Sequence, residues 1–156
     1  MIRPLTRGDR GPIRDIVAAT GVFTEEEVVI AVELIDAALE VPGQTDYIIR
    51  VAEEEGKVAG YYCVGPTPAT EGTFDLYWVA VDPALHGKGI GRALDDDACD
   101  LVRGMSGRLI IAETSSLPRY RRTREFYLRR GYSQLATISD YYRPGDDLVV
   151  YGKYLT

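Results

Sequence analysis

With two cysteines, one histidine and one tryptophan in 156 residues, several classes of chemistry are excluded at the outset. Cys63 and Cys99 are too few for a disulfide scaffold and are expected as free thiols. His86 has no cysteine or second histidine at ligand spacing, so no metal site is expected. No apolar run approaches the roughly 18 residues of a membrane span. The opening Met1, Ile2, Arg3, Pro4 and Leu5 continue into polar sequence instead of the apolar core of a secretion signal, and a cytoplasmic location is expected. Positive charge is also short: 18 Lys and Arg against 24 Asp and Glu leave a formal net charge of -6. That balance speaks against broad affinity for nucleic acid or an anionic membrane.

What is present is core-forming material. A hydrophobic fraction of 46% with 27% charged residues suits one soluble domain over residues 1–156, without repeats or low-complexity tails. Ile2 to Leu5 reads as a short edge strand, and Pro12 opens a helix with Ile13, Ile16 and Val17 on one face. Thr24 and Glu27 form a capping box ahead of an amphipathic helix over 25–40, which Pro42 and Gly43 stop. Strands are expected over 47–51, 58–64 and 74–81, and a helix after the glycines near residue 90. Leu109 to Ala112 reads as a strand covered on both faces. A helix over 124–130 ended by Gly131 and two last strands complete the order β-α-α-β-β-β-α-β-α-β-β, one α/β domain around a mixed sheet.

The most informative stretch is Val79 to Leu94, where a glycine-rich turn joins a strand directly to a helix. Gly87, Gly89 and Gly91 allow close backbone approach and turn successive amides into one concavity at a helix N-terminus, a place for phosphate. Lys88 and Arg92 add cationic donors. Gly91 is followed by Arg92 and Ala93, not Lys and Ser or Thr, so the turn is not a P-loop. Its even spacing and mid-chain position also differ from a dinucleotide fingerprint.

The arrangement resembles the GNAT superfamily of acetyl-CoA-dependent N-acetyltransferases. Their pyrophosphate loop follows the fourth strand, and His86, Gly87, Lys88, Gly89, Ile90 and Gly91 occupy it here, with His86 where Gln or Arg is usual. A second likeness lies in Phe126, Tyr127, Gly131 and Tyr132, an aromatic pair on the last helix followed by glycine and an aromatic. The resemblance implies a mixed, mostly antiparallel sheet of six or seven strands flanked by about four helices, with acetyl-CoA as the acetyl donor. The acceptor is then a primary amine, on a small molecule or a peptide, attacking directly. It also implies Tyr127 as the acid that reprotonates the coenzyme thiolate, Val79, Ala80 and Val81 as the strand supplying a carbonyl donor, and residues 86 to 92 as the cofactor loop.

Three routes compete for the base: Asp75 on the fourth strand, expected to share a side with Tyr77 and Val79, Glu113 at the carboxyl end of the fifth, and a backbone or water route with amines that arrive partly neutral. A covalent route through either cysteine lacks a histidine partner. The basic run Arg119, Arg121, Arg122, Arg124, Arg129 and Arg130 is either a solvated helix entry or a binding surface for the 3′-phosphate of coenzyme A or an acceptor carboxylate. Thr114, Ser115 and Ser116 are candidate donors to pantetheine or substrate, and Tyr61, Tyr62, Tyr77 and Trp78 candidate pocket walls. Asp95, Asp96, Asp97 and Asp100 are expected to face water. Leu148 to Tyr151 are candidates for a homodimer contact through the last strands. A non-catalytic acyl-CoA-binding or sensor domain and a partner-binding module without phosphate affinity are the readings from other classes.

Overall fold

Residues 1–155 are described by a computed structural model; Thr156, the last residue of the expected domain, lies outside them. The chain runs β1 (Ile2–Pro4), α1 (Arg10–Ala19), α2 (Glu25–Glu40), β2 (Ile48–Glu54), β3 (Lys57–Pro66), β4 (Thr73–Val81), α3 (Ile90–Gly104), β5 (Leu109–Ser115), α4 (Arg121–Arg129), β6 (Ser133–Arg143) and β7 (Asp146–Tyr154). All these strands lie in one seven-stranded sheet, ordered β1-β2-β3-β4-β5-β7-β6. Every neighbouring pair is antiparallel except β4 and β5. The expected mixed, mostly antiparallel sheet with four helices is therefore what the chain forms.

Local chemistry sets the boundaries. The Thr24 hydroxyl accepts the Glu27 amide at 3.2 Å while the Glu27 carboxylate accepts the Thr24 amide at 3.1 Å, so both ends of the capping box are made. Glu55 and Gly56, at φ 51 and 76, turn β2 into β3 in the left-handed pair that matches strand twist. Asp9, almost fully buried, takes both Arg3 guanidinium nitrogens (2.8 and 2.9 Å) and the Thr6 amide and hydroxyl, tying the edge strand to α1. The Arg3 hydrogen bond, foremost, holds the Asp9 carboxyl below the ordinary aspartate value.

Both faces of the sheet carry a core. α1 and α2 bury Ile13, Val17 and Ile35 against Val51, Tyr61 and Cys63. α3 and α4 bury Leu94, Val102 and Tyr127 against Tyr62, Phe74 and Ile110. Tyr61 and Tyr62 thus go to opposite faces, as strand alternation requires. Coverage of β5 is less complete than a doubly covered strand: Ile110 and Ala112 are sealed, whereas Leu109 and Ile111 stay half-buried and belong to neither core. Leu148, Val149 and Tyr151 are core, since β7 lies inside the sheet; the exposed edge is β6, open along its whole length.

Two features of β4 shape the molecule's central opening. The first is a β-bulge at Tyr77, which shifts the register against β3, where Cys63 faces Trp78 but Val64 faces Leu76. Phe74, Leu76, Val79 and Val81 accordingly pack with the α3–α4 core, while Trp78 and Ala80 pack with the α1–α2 core. Asp75 and Val79, expected on one side, are on opposite sides, because the extra residue reverses the alternation. The same slip leaves Tyr77, stacked edge-on with Tyr47, and Trp78 on one face. The second feature is the brevity of the parallel pairing with β5, which consists of Thr73↔Leu109, Phe74↔Ile110 and Asp75↔Ile111, then ends. Beyond Asp75 the two strands part, and backbone groups of β4 face a gap.

Candidate active site

The gap opens onto a groove of about 760 Å³. Val79, Ala80 and Val81 form its floor, and His86, Gly87, Gly89, Ile90, Gly91 and Arg92 its loop end. Asp82 accepts the Ala84 amide at 3.0 Å and starts the short 3-10 turn Pro83–Leu85 that leads into the loop. Gly87 and Gly89 have φ of 84 and 77, conformations that side chains rarely tolerate, and Gly89 is the N-cap of α3. Ala93 is the residue that bonds back to the Gly89 carbonyl, at 3.0 Å, so the amides of Ile90, Gly91 and Arg92 have no partner within the helix. Gly91 is needed for space: a Cβ there would meet the Phe126 ring at 3.1 Å. Lys88 points elsewhere, lining a separate 110 Å³ cavity with Met1, Glu53 and Ala93.

The carboxylates lie toward the α1–α2 face. Asp75 accepts the Thr67 hydroxyl at 2.8 Å. Burial, and after it the charge of Asp75, raises the Glu113 carboxyl above the ordinary glutamate value, which places the two acids within electrostatic reach. Burial and then Asp75 push the Tyr77 hydroxyl up to about 12. Tyr142 from β6 is raised to about 12, by burial and then by the Glu113 charge. Tyr120 donates to Glu27 at 2.9 Å, and Phe23 packs edge-on against Trp78 at 4.6 Å, so the α1–α2 connection closes this side.

Tyr127 comes from the opposite core. Its ring lies 5.1 Å from that of Tyr132 and 5.7 Å from that of Tyr151, and the residue is only 5% exposed. The hydroxyls of Tyr62, Tyr120 and Tyr132 are all spent on carboxylates. That of Tyr127 makes no hydrogen bond among the described residues, and Tyr61 is the one whose unbonded hydroxyl is sealed from the surface. The Tyr127 oxygen is thus unbonded and not wholly sealed, although the residue is not among those that line the groove. Burial, with a smaller contribution from the Asp95 charge, raises it well above an ordinary phenol, so it holds its proton at neutral pH.

Comparison with known proteins turns this geometry into a family. The acetyltransferase (GNAT) domain pattern matches residues 45–134. A GNAT-family protein from Desulfovibrio desulfuricans is 43% identical over 100% of this chain and 99% of its own, with a TM-score of 0.94. The chain belongs to the GNAT acetyltransferase family. It is an acetyltransferase of that family. A Salmonella typhimurium protein solved with its cofactor acetyl-CoA is similar at 21% identity, covering 100% and 94% of the two chains, with a TM-score of 0.76. The ribosomal-protein-S18-alanine N-acetyltransferase of Escherichia coli is similar at 18% identity over 100% and 94%, with a TM-score of 0.78. At these identities the likeness is one of fold. No curated protein matches the sequence.

In this acetyltransferase several polar groups flagged by the sequence are internal fasteners. The Ser115 hydroxyl bonds the buried Asp146, and the Ser116 hydroxyl accepts the Asp147 amide at 2.8 Å, so both are engaged within the protein. Of the four aspartates expected in water, Asp96 and Asp100 are exposed, paired with Arg130 and Arg103. The other two are not. Asp95 is buried under Arg130, Lys153 and Tyr132, and Asp97 takes Arg50 at 2.7 Å and Tyr62 at 2.6 Å. Their partners arrive from β2, β3, β7 and the end of α4, which helical periodicity does not register. The far wall of the groove is formed by Arg122, Arg129 and Arg130, members of the basic run expected either as a solvated helix entry or as a 3′-phosphate surface, together with Phe126 and with Thr20 and Phe23 between α1 and α2, which the sequence did not assign to the cofactor. The spacing of 122, 126 and 129 was the available signal on α4; Phe23, in a connection without periodicity, offered none.

Proposed function

We propose that the protein transfers the acetyl group of acetyl-CoA to a primary amine by direct attack, across the gap between β4 and β5. The amine enters in its neutral form from the Asp75 and Glu113 side and, once bonded to the thioester carbon, gives the surplus N–H proton of the tetrahedral intermediate to Glu113, directly or through water. The oxygen on that carbon is received by a backbone amide of Val79 to Val81. As the carbon–sulfur bond breaks, Tyr127 gives its proton to the thiolate, and solvent restores it. Asp75 acts on Glu113 through its charge.

The observation that carries this reading is the end of β4–β5 pairing at Asp75↔Ile111, with the phosphate loop on one side of the opening and a raised carboxyl on the other. Cys63 and Cys99 are buried, and burial raises both thiols, Cys63 to about 12, which supports a route without an acyl-enzyme.

The test is incubation with acetyl-CoA and a panel of primary amines, reading free thiol and the mass of both product and protein. Thiol release matched by N-acetyl product, with no acetylated cysteine, is expected. Thiol release that persists without amine and leaves an acetyl adduct on the chain contradicts direct attack. For self-association the surface on offer is β6, with Leu135, Ile138 and Tyr141 exposed. A sedimentation mass of two chains that falls to one in Ile138→Glu supports a dimer there; a one-chain mass for the unaltered protein overturns it.

A further inference from the structure

The basic residues around α4 divide sharply by their partners. Arg121 pairs with Glu125 at 3.0 Å. Arg124 donates to the carbonyls of Ser115 and Leu117, each at 2.9 Å. Arg130 is held by Asp95 and Asp96, and Arg119 lies 5.3 Å above the Tyr120 ring. Arg122 and Arg129 remain. Among the described residues neither makes a side-chain hydrogen bond or an ion pair, both are exposed, and both line the 760 Å³ groove. Seven positions apart, they lie on one helix face, roughly 10 Å from each other along the axis. Phe126 sits between them on the same face and approaches Gly91 in the first turn of α3. The one acid on this wall, Glu125, is already neutralised by Arg121.

The groove therefore has two cationic centres. One is the loop, where the amides of α3 and Arg92 would receive the pyrophosphate of the bound cofactor. The other is the Arg122 and Arg129 pair on the opposite wall, which the pyrophosphate does not need. Coenzyme A has a matching second anionic centre, the phosphomonoester on its ribose, and the guanidinium fork suits such a group better than an ammonium. We propose that Arg122 and Arg129 clamp the 3′-phosphate of acetyl-CoA, so that the enzyme selects coenzyme A thioesters over their 3′-dephospho forms. This rests on acetyl-CoA occupying the groove.

Calorimetric titration of acetyl-CoA and 3′-dephospho-acetyl-CoA tests it without knowledge of the acceptor. Proteins compared are the unaltered chain, Arg122→Ala/Arg129→Ala, and Arg103→Ala, which removes a cation of α3 whose partner Asp100, like Arg103 itself, lies outside the groove. The unaltered protein is expected to bind acetyl-CoA about tenfold more tightly than the dephospho form, the size of an exposed charge-assisted contact. The double variant should lose that preference by weakening only acetyl-CoA, and Arg103→Ala should keep it. Equal affinity for both ligands in the unaltered protein, equal weakening of both in the double variant, or the same loss in Arg103→Ala overturns the clamp. Failure of the unaltered protein to bind either ligand overturns instead the occupancy on which the clamp rests.

Discussion

Glu113 and Asp75 illustrate how one residue sets another's chemistry. Burial and the neighbouring Asp75 charge both disfavour the ionised Glu113, so as the proposed base it gains its active form only as pH rises through a raised value. The acid limb of kcat/KM should therefore lie above the ordinary glutamate value. Asp75→Asn removes one of the two causes and should move that limb down, while Glu113→Gln should remove it along with most of the rate. An acid limb unmoved by Asp75→Asn contradicts the coupling. From the sequence both carboxylates stood as candidates for the base beside a backbone or water route. The electrostatic relation between them runs across two strands and leaves no mark in the sequence, and the bulge at Tyr77 made even the face of Asp75 unreadable, since alternation assumes an unbroken pleat.

At the scale of elements, the loop and its helix were legible because their signals are local. Glycines at 87 and 89 predict left-handed backbone, and the chain adopts it. Gly89→Ala puts a side chain at φ 77 on the N-cap of α3 and is expected to cost about 1 kcal/mol of stability and to weaken acetyl-CoA binding, checked by denaturant melts and calorimetry. The anchorage of α3 was not legible, because Asp95 finds Arg130 and Lys153 at sequence distances of 35 and 58 residues. Asp95→Asn leaves two partly buried cations and the Tyr132 hydroxyl with a weaker acceptor, and should lower unfolding stability by about 3 kcal/mol. A loss under about 1 kcal/mol in urea melts contradicts the view that this cluster pins α3 to α4 and β7.

At the scale of the whole molecule, charges of opposite sign are set apart around the central opening. An acidic chain of net charge -6 gathers Arg92, Arg122 and Arg129 along the groove, while Asp75 and Glu113 attend the other side of the opening. Acetyl-CoA affinity should accordingly fall as salt is raised from about 0.05 to about 0.5 M, an outcome calorimetry reads directly. In the proposed mechanism donor and acceptor meet where β4 and β5 part, and the proton for the thiolate comes from Tyr127, a residue of the α3–α4 core. Whether it delivers the proton is the point on which the account turns. The measurement is thiol release by Tyr127→Phe with the best acceptor from the amine panel, beside calorimetric affinity for acetyl-CoA. A fall in kcat of about a hundredfold or more with affinity unchanged is predicted; an unchanged kcat would make Tyr127 a core tyrosine and contradict the mechanism.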